Sequence, residues 1–146
     1  MKLQGKHFIA NNFHLGLLLL LMLGLVQCKP SVISTPNYVY TDMNNNRFFI
    51  SSETLTYAPI SAKESSSGTY DGGEKATVSL AKEHFKKISQ MSDSLLAAGP
   101  FIEKRAMLTS ILSKKQNDTT ERRILARSKK RTEFEHLLRS FLSENQ

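Results

Sequence analysis

Three consecutive serines, Ser65-Ser66-Ser67, run into Gly68-Thr69-Tyr70-Asp71-Gly72-Gly73 and bring hydroxyls and backbone amides together in one segment. A serine becomes a nucleophile when a histidine takes its proton and an acid orients that histidine. Past the N-terminal leader the histidines are His84 and His136. Neither is tied by sequence context to the serines, and there is no G-x-S-x-G elbow. A folded region of about 100 residues is also short for the fold that carries such an elbow. Metal binding would need His84 and His136 to converge with a carboxylate such as Glu83 or Glu135, and neither histidine sits in an H-E-x-x-H spacing. Glycoside hydrolysis needs two facing carboxylates, and no acidic pair stands out. The residues therefore predict a non-enzymatic chain with no metal and no cofactor. A small hydrolase built on the Ser-rich loop is the alternative.

The same loop is suited to binding. Glycine admits left-handed backbone, which turns several N–H groups toward one point and holds an anion. Tyr70 offers a stacking face for a sugar or a peptide. Ser65, Ser66, Ser67, Gly68, Tyr70, Gly72 and Gly73 are thus a candidate ligand loop. The competing reading is a structural connection, in which hydroxyls satisfy turns and Tyr70 plugs the core. Phosphate binding of the nucleotide type is not expected, because G-x-x-x-x-G-K-[ST] is missing.

Charge supplies a second candidate surface. Between Lys104 and Arg131 there are ten Lys or Arg residues against two acids, Asp118 and Glu121. Arg122, Arg123, Arg127, Lys129, Lys130 and Arg131 are the candidate anion contacts, for lipid head groups or a polyanionic glycan. A solvated basic face is the plainer alternative. Aromatic residues do not interleave with these cations as single-strand binders require, so no nucleic-acid partner is expected.

The N-terminus bears on where such surfaces would work. Lys2 and Lys6 precede an apolar run from Leu15 to Val26, broken only by Gly16 and Gly24. Twelve helical residues rise about 18 Å, well short of the roughly 30 Å hydrocarbon core of a bilayer. A signal-peptide h-region fits that length better than a transmembrane helix. The run ends in Leu25-Val26-Gln27-Cys28, and Cys28 is the one cysteine, so no internal disulfide can form. This segment resembles the leader of bacterial lipoproteins, with Gln27 where a small residue is usual. The resemblance implies removal of residues 1–27, a diacylglycerol on the Cys28 thiol and a chain held in the membrane by its N-terminal lipid. Two or three acyl chains make a stable anchor where one is marginal. An ordinary secretory signal and an uncleaved anchor are the alternatives. Removal of the leader leaves 119 residues with 18 basic and 13 acidic side chains, a net charge of +5. That is enough for one small core.

Tyr57-x-Pro59 followed by the Ser-rich loop is also similar to a pattern in a group of short bacterial proteins, many of them secreted or lipid-anchored in appearance. The similarity covers roughly residues 48–98 and implies no activity and no catalytic residue.

These surfaces need elements to hold them. Residues 28–46 read as a tether, rich in Pro, Ser, Thr and Asn, with Tyr38-Val39-Tyr40 at most a short edge strand. The domain is expected over residues 47–146. Phe48 and Ile50, then Leu55 and Tyr57, alternate as in a β-hairpin that Pro59 stops. A short strand over 75–78 follows the loop. Ala81, Phe85, Ile88 and Leu95 form one stripe of a helix over 80–98, with Ser79 as N-cap and Gly99-Pro100 as its end. Residues 101–128 permit a helix or a hairpin turning at 116–119. Thr132-x-x-Glu135 reads as a capping box that opens a last helix, which favours the hairpin. The sum is an α+β fold: a small antiparallel sheet with two helices packed on one face, behind a signal peptide and a flexible tether. The function expected from the whole is that of a lipid-anchored cell-envelope module that binds a protein or glycan partner.

Overall fold

A computed structural model describes residues 34–144. The leader, Cys28 and its lipid attachment lie outside the described residues. Seven strands build one antiparallel sheet: β1 (Asn37–Thr41), β2 (Arg47–Ile50), β3 (Thr54–Ala58), β4 (Ala76–Ser79), β5 (Phe101–Ile102), β6 (Ser110–Gln116) and β7 (Thr119–Leu125). Their order across the sheet is β4-β3-β2-β1-β6-β7-β5. Two helices, α1 (Lys82–Ala98) and α2 (Lys129–Ser143), cover one face, and a 3₁₀ turn spans Ala62–Glu64. The fold is α+β as the spacing predicts.

Alternation decides which side chains meet the helices. In β1, Tyr38 and Tyr40 are buried, whereas Asn37, Val39 and Thr41 point the other way. Phe48, Ile50, Leu55, Tyr57, Val78, Leu112 and Leu125 continue that buried face across the sheet. From above, Ile88, Leu95 and Leu96 of α1 and Phe134, Leu138, Phe141 and Leu142 of α2 close the core. Tyr40 and Phe134 meet edge-on at 5.3 Å between ring centroids, the arrangement favoured by the ring quadrupoles.

The tether boundary is corrected. The folded region begins by Asn37 and not at Arg47, and β1 is an interior strand, paired with β2 on one side and β6 on the other. The Asn-rich stretch read as flexible is the β1–β2 turn. It is organised by the buried carboxylate of Asp42, which accepts from the Asn44 and Asn46 amides and from Asn46 Nδ2 at 2.8–2.9 Å. Asn45 supplies the left-handed residue, with φ 71.

The hairpin over the ambiguous stretch is present. β6 and β7 turn through Asn117-Asp118, with Gln116 opposite Thr119 and Asn117 at φ 53. Both helix starts differ from expectation. α1 opens at Lys82 with Ala81 as N-cap, because Ser79 is spent as the last residue of β4. α2 opens at Lys129, and Ser128 caps it by accepting from the Arg131 amide at 3.2 Å. Thr132 therefore lies inside the helix, its hydroxyl donating back to the Ser128 carbonyl. Gly99 ends α1 as predicted, though with an extended backbone; a Cβ there would fall 2.5 Å from the Leu95 carbonyl oxygen.

Candidate functional site

Among the described residues the helices cover one face only and leave the other bare, and strand register fixes what that face displays. One cross-strand row runs Thr56, Phe49, Val39, Ser113, Arg122. The neighbouring row runs Ala58, Arg47, Thr41, Ile111, Ile124, Ile102. The middle of both rows is apolar or small, and arginines stand on β2 and β7 to either side. Phe49 is 42 % exposed, unusual for a phenylalanine in the middle of a strand. Val39, Phe49 and Ile111, with Arg47, Arg105 and Arg122, surround a groove of about 510 Å³.

Arg105 reaches this groove from the loop between β5 and β6. Its guanidinium donates to the Asp42 carbonyl at 3.3 Å, which ties that loop to the β1–β2 turn. Arg122 has no ion-pair partner among the described residues. Glu64 is the one acid in the lining. The Ser61 amide and then the Ser61 hydroxyl, each donating to its carboxylate at 2.9 Å, hold it below the usual carboxylate range, with Arg47 assisting. Three guanidinium groups against one carboxylate leave the groove positive. Planar, forked donors of this kind suit carboxylates and phosphates.

The predicted basic segment is not one surface. Arg122 faces the bare side. Arg123 is on the helix side, 3.5 Å from Glu121 and over the Phe101 ring at 5.2 Å. Arg127 is exposed beyond β7. Lys129 lies 3.9 Å from Glu133, and Lys130 bonds Ser94 of α1. Arg131 is in the core at 3 % exposure and cannot meet a partner. Its guanidinium donates to the carbonyls of Leu108 and Leu125 and sits 3.3 Å from Glu135. Glu135 in turn accepts a hydrogen bond from the Tyr40 hydroxyl, which also bonds Ser110. Burial first, and this carboxylate second, push the Tyr40 phenol far above its usual range.

The Ser-rich loop is a strap across one end of the sheet. Gly68 and Gly73 carry the left-handed geometry that glycine was expected to supply, at φ 68 and 91. The amides are already engaged, however. Ser67 Oγ takes the Thr69 and Tyr70 amides, Gly68 donates to Ser65, Gly72 to Ile60 and Gly73 to the Asp71 carboxylate. Tyr70 accepts from the buried Asn46 side chain, and Tyr57 donates to the Gly72 carbonyl. A Cβ on Gly72 would sit 2.2 Å from Asn46 Oδ1, so the strap needs glycine there. Ser65 and Ser67 bond each other at 2.9 Å, Ser66 is exposed, and no serine of the three bonds a histidine. His84 stacks on Phe141 at 4.4 Å, and His136 is exposed. Among the described residues no three metal-ligating side chains converge.

The bare face escaped sequence reading because Arg47 and Arg122 lie far apart in the chain and meet only through β1 and β6. The signal available was weak: Phe49 alternates out of phase with Phe48 and Ile50. Comparison with family models, curated proteins and solved structures found no match for the chain.

Proposed function

We propose that this chain is a non-enzymatic binding module anchored by lipid in a bacterial cell envelope. The observation that carries the reading is the sheet face away from the helices, where exposed Phe49, half-buried Val39 and the nearly buried Ile111 lie between arginines, with no nucleophile–base pair beside them among the described residues. An antiparallel sheet often faces water on one side, but such a face is then polar. Partly exposed apolar side chains inside a charged rim are the composition of a docking surface. The leader supports the envelope location, and no described helix is long and apolar enough to cross a membrane.

With β1 part of the domain, the tether shrinks. Ser34 is fixed to the β6–β7 turn: its hydroxyl bonds Asn117, and its carbonyl accepts from Gln116. The six steps from Cys28 to Ser34 span at most about 20 Å. In the anchored state the β6–β7 turn is therefore held within about 20 Å of the bilayer.

The test is labelled palmitate together with the intact mass of wild type and Cys28→Ala made in a bacterium. The reading predicts a mature chain that starts at Cys28 and carries label, and no label in the variant. Cleavage elsewhere without label would return the chain to the secreted class.

A further inference from the structure

The groove has dimensions and charge that select an occupant. β2 and β7 are separated by β1 and β6, so three strand spacings, about 14 Å, divide Arg47 from Arg122. An α-helix with its side chains is about 10–12 Å wide. It fits between the two arginines with Val39, Thr41, Ile111 and Ser113 beneath it. Covering a sheet face with a helix is also how this fold already buries its other side. A second copy of the chain is disfavoured, because it would set arginine against arginine. A flat bilayer reaches the rim but not a floor bordered by the loops that carry Ile60 and Arg105.

We propose that the bare face takes one amphipathic helix of a partner protein, with an apolar stripe on the floor and carboxylates paired with Arg47, Arg105 and Arg122. Such a helix would present apolar residues at i, i+3, i+4 and i+7 and acids on both flanks. The partner's helix would lie along β1 and β6. The seven residues of β6 span about 23 Å, the length of roughly fifteen helical residues. This deepens the proposed function, since it rests on the bare face being the binding surface.

The probe is a synthetic helix of about fifteen residues, with leucines at that spacing and flanking glutamates, beside a counterpart with lysines for glutamates. Binding is measured to the purified full chain in nonionic detergent. The acidic helix is expected to bind, and to weaken at least about tenfold in the Arg47→Glu/Arg122→Glu variant and in Phe49→Ala. Arg123→Glu, on the helix side, is expected to leave binding unchanged. Circular dichroism confirms that each variant is folded. Equal binding of the two helices, or equal binding to wild type and the double variant, would overturn the proposal. So would no binding at millimolar helix, or capture only of phosphatidylglycerol vesicles through the same arginines. The assay makes no use of the acyl chains. A failed palmitate experiment therefore leaves this proposal standing, and a failed helix assay leaves the anchor standing.

Discussion

Replacing Arg131 with alanine is expected to lower the unfolding free energy by about 3–5 kcal/mol, measured by urea denaturation. Arg131 is 3 % exposed, and its charge is balanced by Glu135 at 3.3 Å. Its head also donates to the Leu108 and Leu125 carbonyls, the first at 2.7 Å. Alanine strips both carbonyls of a donor and leaves a half-buried carboxylate without its cation. Leu108 adds to the cost. It holds a left-handed backbone at φ 63, unfavourable for a leucine, and the Arg131 bond is what fixes its carbonyl there. Arg127→Ala, on the exposed surface a few residues earlier, is expected within about 0.5 kcal/mol of wild type. A small effect for Arg131→Ala would mean that the basic segment does not reach the core as described.

Asp42→Ala is the second large change, with about 2–3 kcal/mol lost in the same measurement. The carboxylate of Asp42 is buried and receives two backbone amides, the Asn46 side chain and Arg139. Asn46 is fully buried and passes the connection on to Tyr70 and to the Ile60 amide. The substitution thus loosens both the β1–β2 turn and the Ser-rich strap. Arg139→Ala is the control. Arg139 is half exposed, so losing its 3.2 Å ion pair together with its stacking over Phe48 and Tyr57 at 5.5 and 5.8 Å is expected to cost less, about 1–1.5 kcal/mol. Comparable losses from the two substitutions would show that the salt bridge, and not the turn, is what Asp42 serves.

How far the sequence reached depends on how local each signal is. The β2–β3 hairpin, the stripes of both helices and the stop at Gly99 depend on spacing within a few residues, and all are present, save that Ala81 is an exposed N-cap and not the first residue of its stripe. A helix start at Thr132 implies the β6–β7 hairpin, which is present although the helix starts at Lys129. Glu135 has a different employment, with Arg131 and Tyr40, and Ser128 does the capping. β1 was hidden because Pro36 and three asparagines flank it, and their composition is that of a linker. What makes β1 a central strand is pairing with β6, some seventy residues onward, which no local window contains. The candidate surfaces follow the same rule. A run of cations close in sequence was dispersed to two faces and the core by alternation along β7 and rotation around α2. The arginines that do share a groove come from two strands and a loop.

Side-chain footprinting with hydroxyl radicals reads whether the bare face is occupied in the envelope. Phe49 on the bare face and Phe101 on the helix side are 42 % and 41 % exposed, which makes them matched reporters. The chain is compared as purified protein and in isolated envelopes of cells that produce it. A docked partner on the bare face predicts that Phe49 becomes severalfold less reactive in envelopes while Phe101 keeps its reactivity. Unchanged reactivity at Phe49, or protection at Phe101 alone, would contradict the assignment of the bare face as the binding surface.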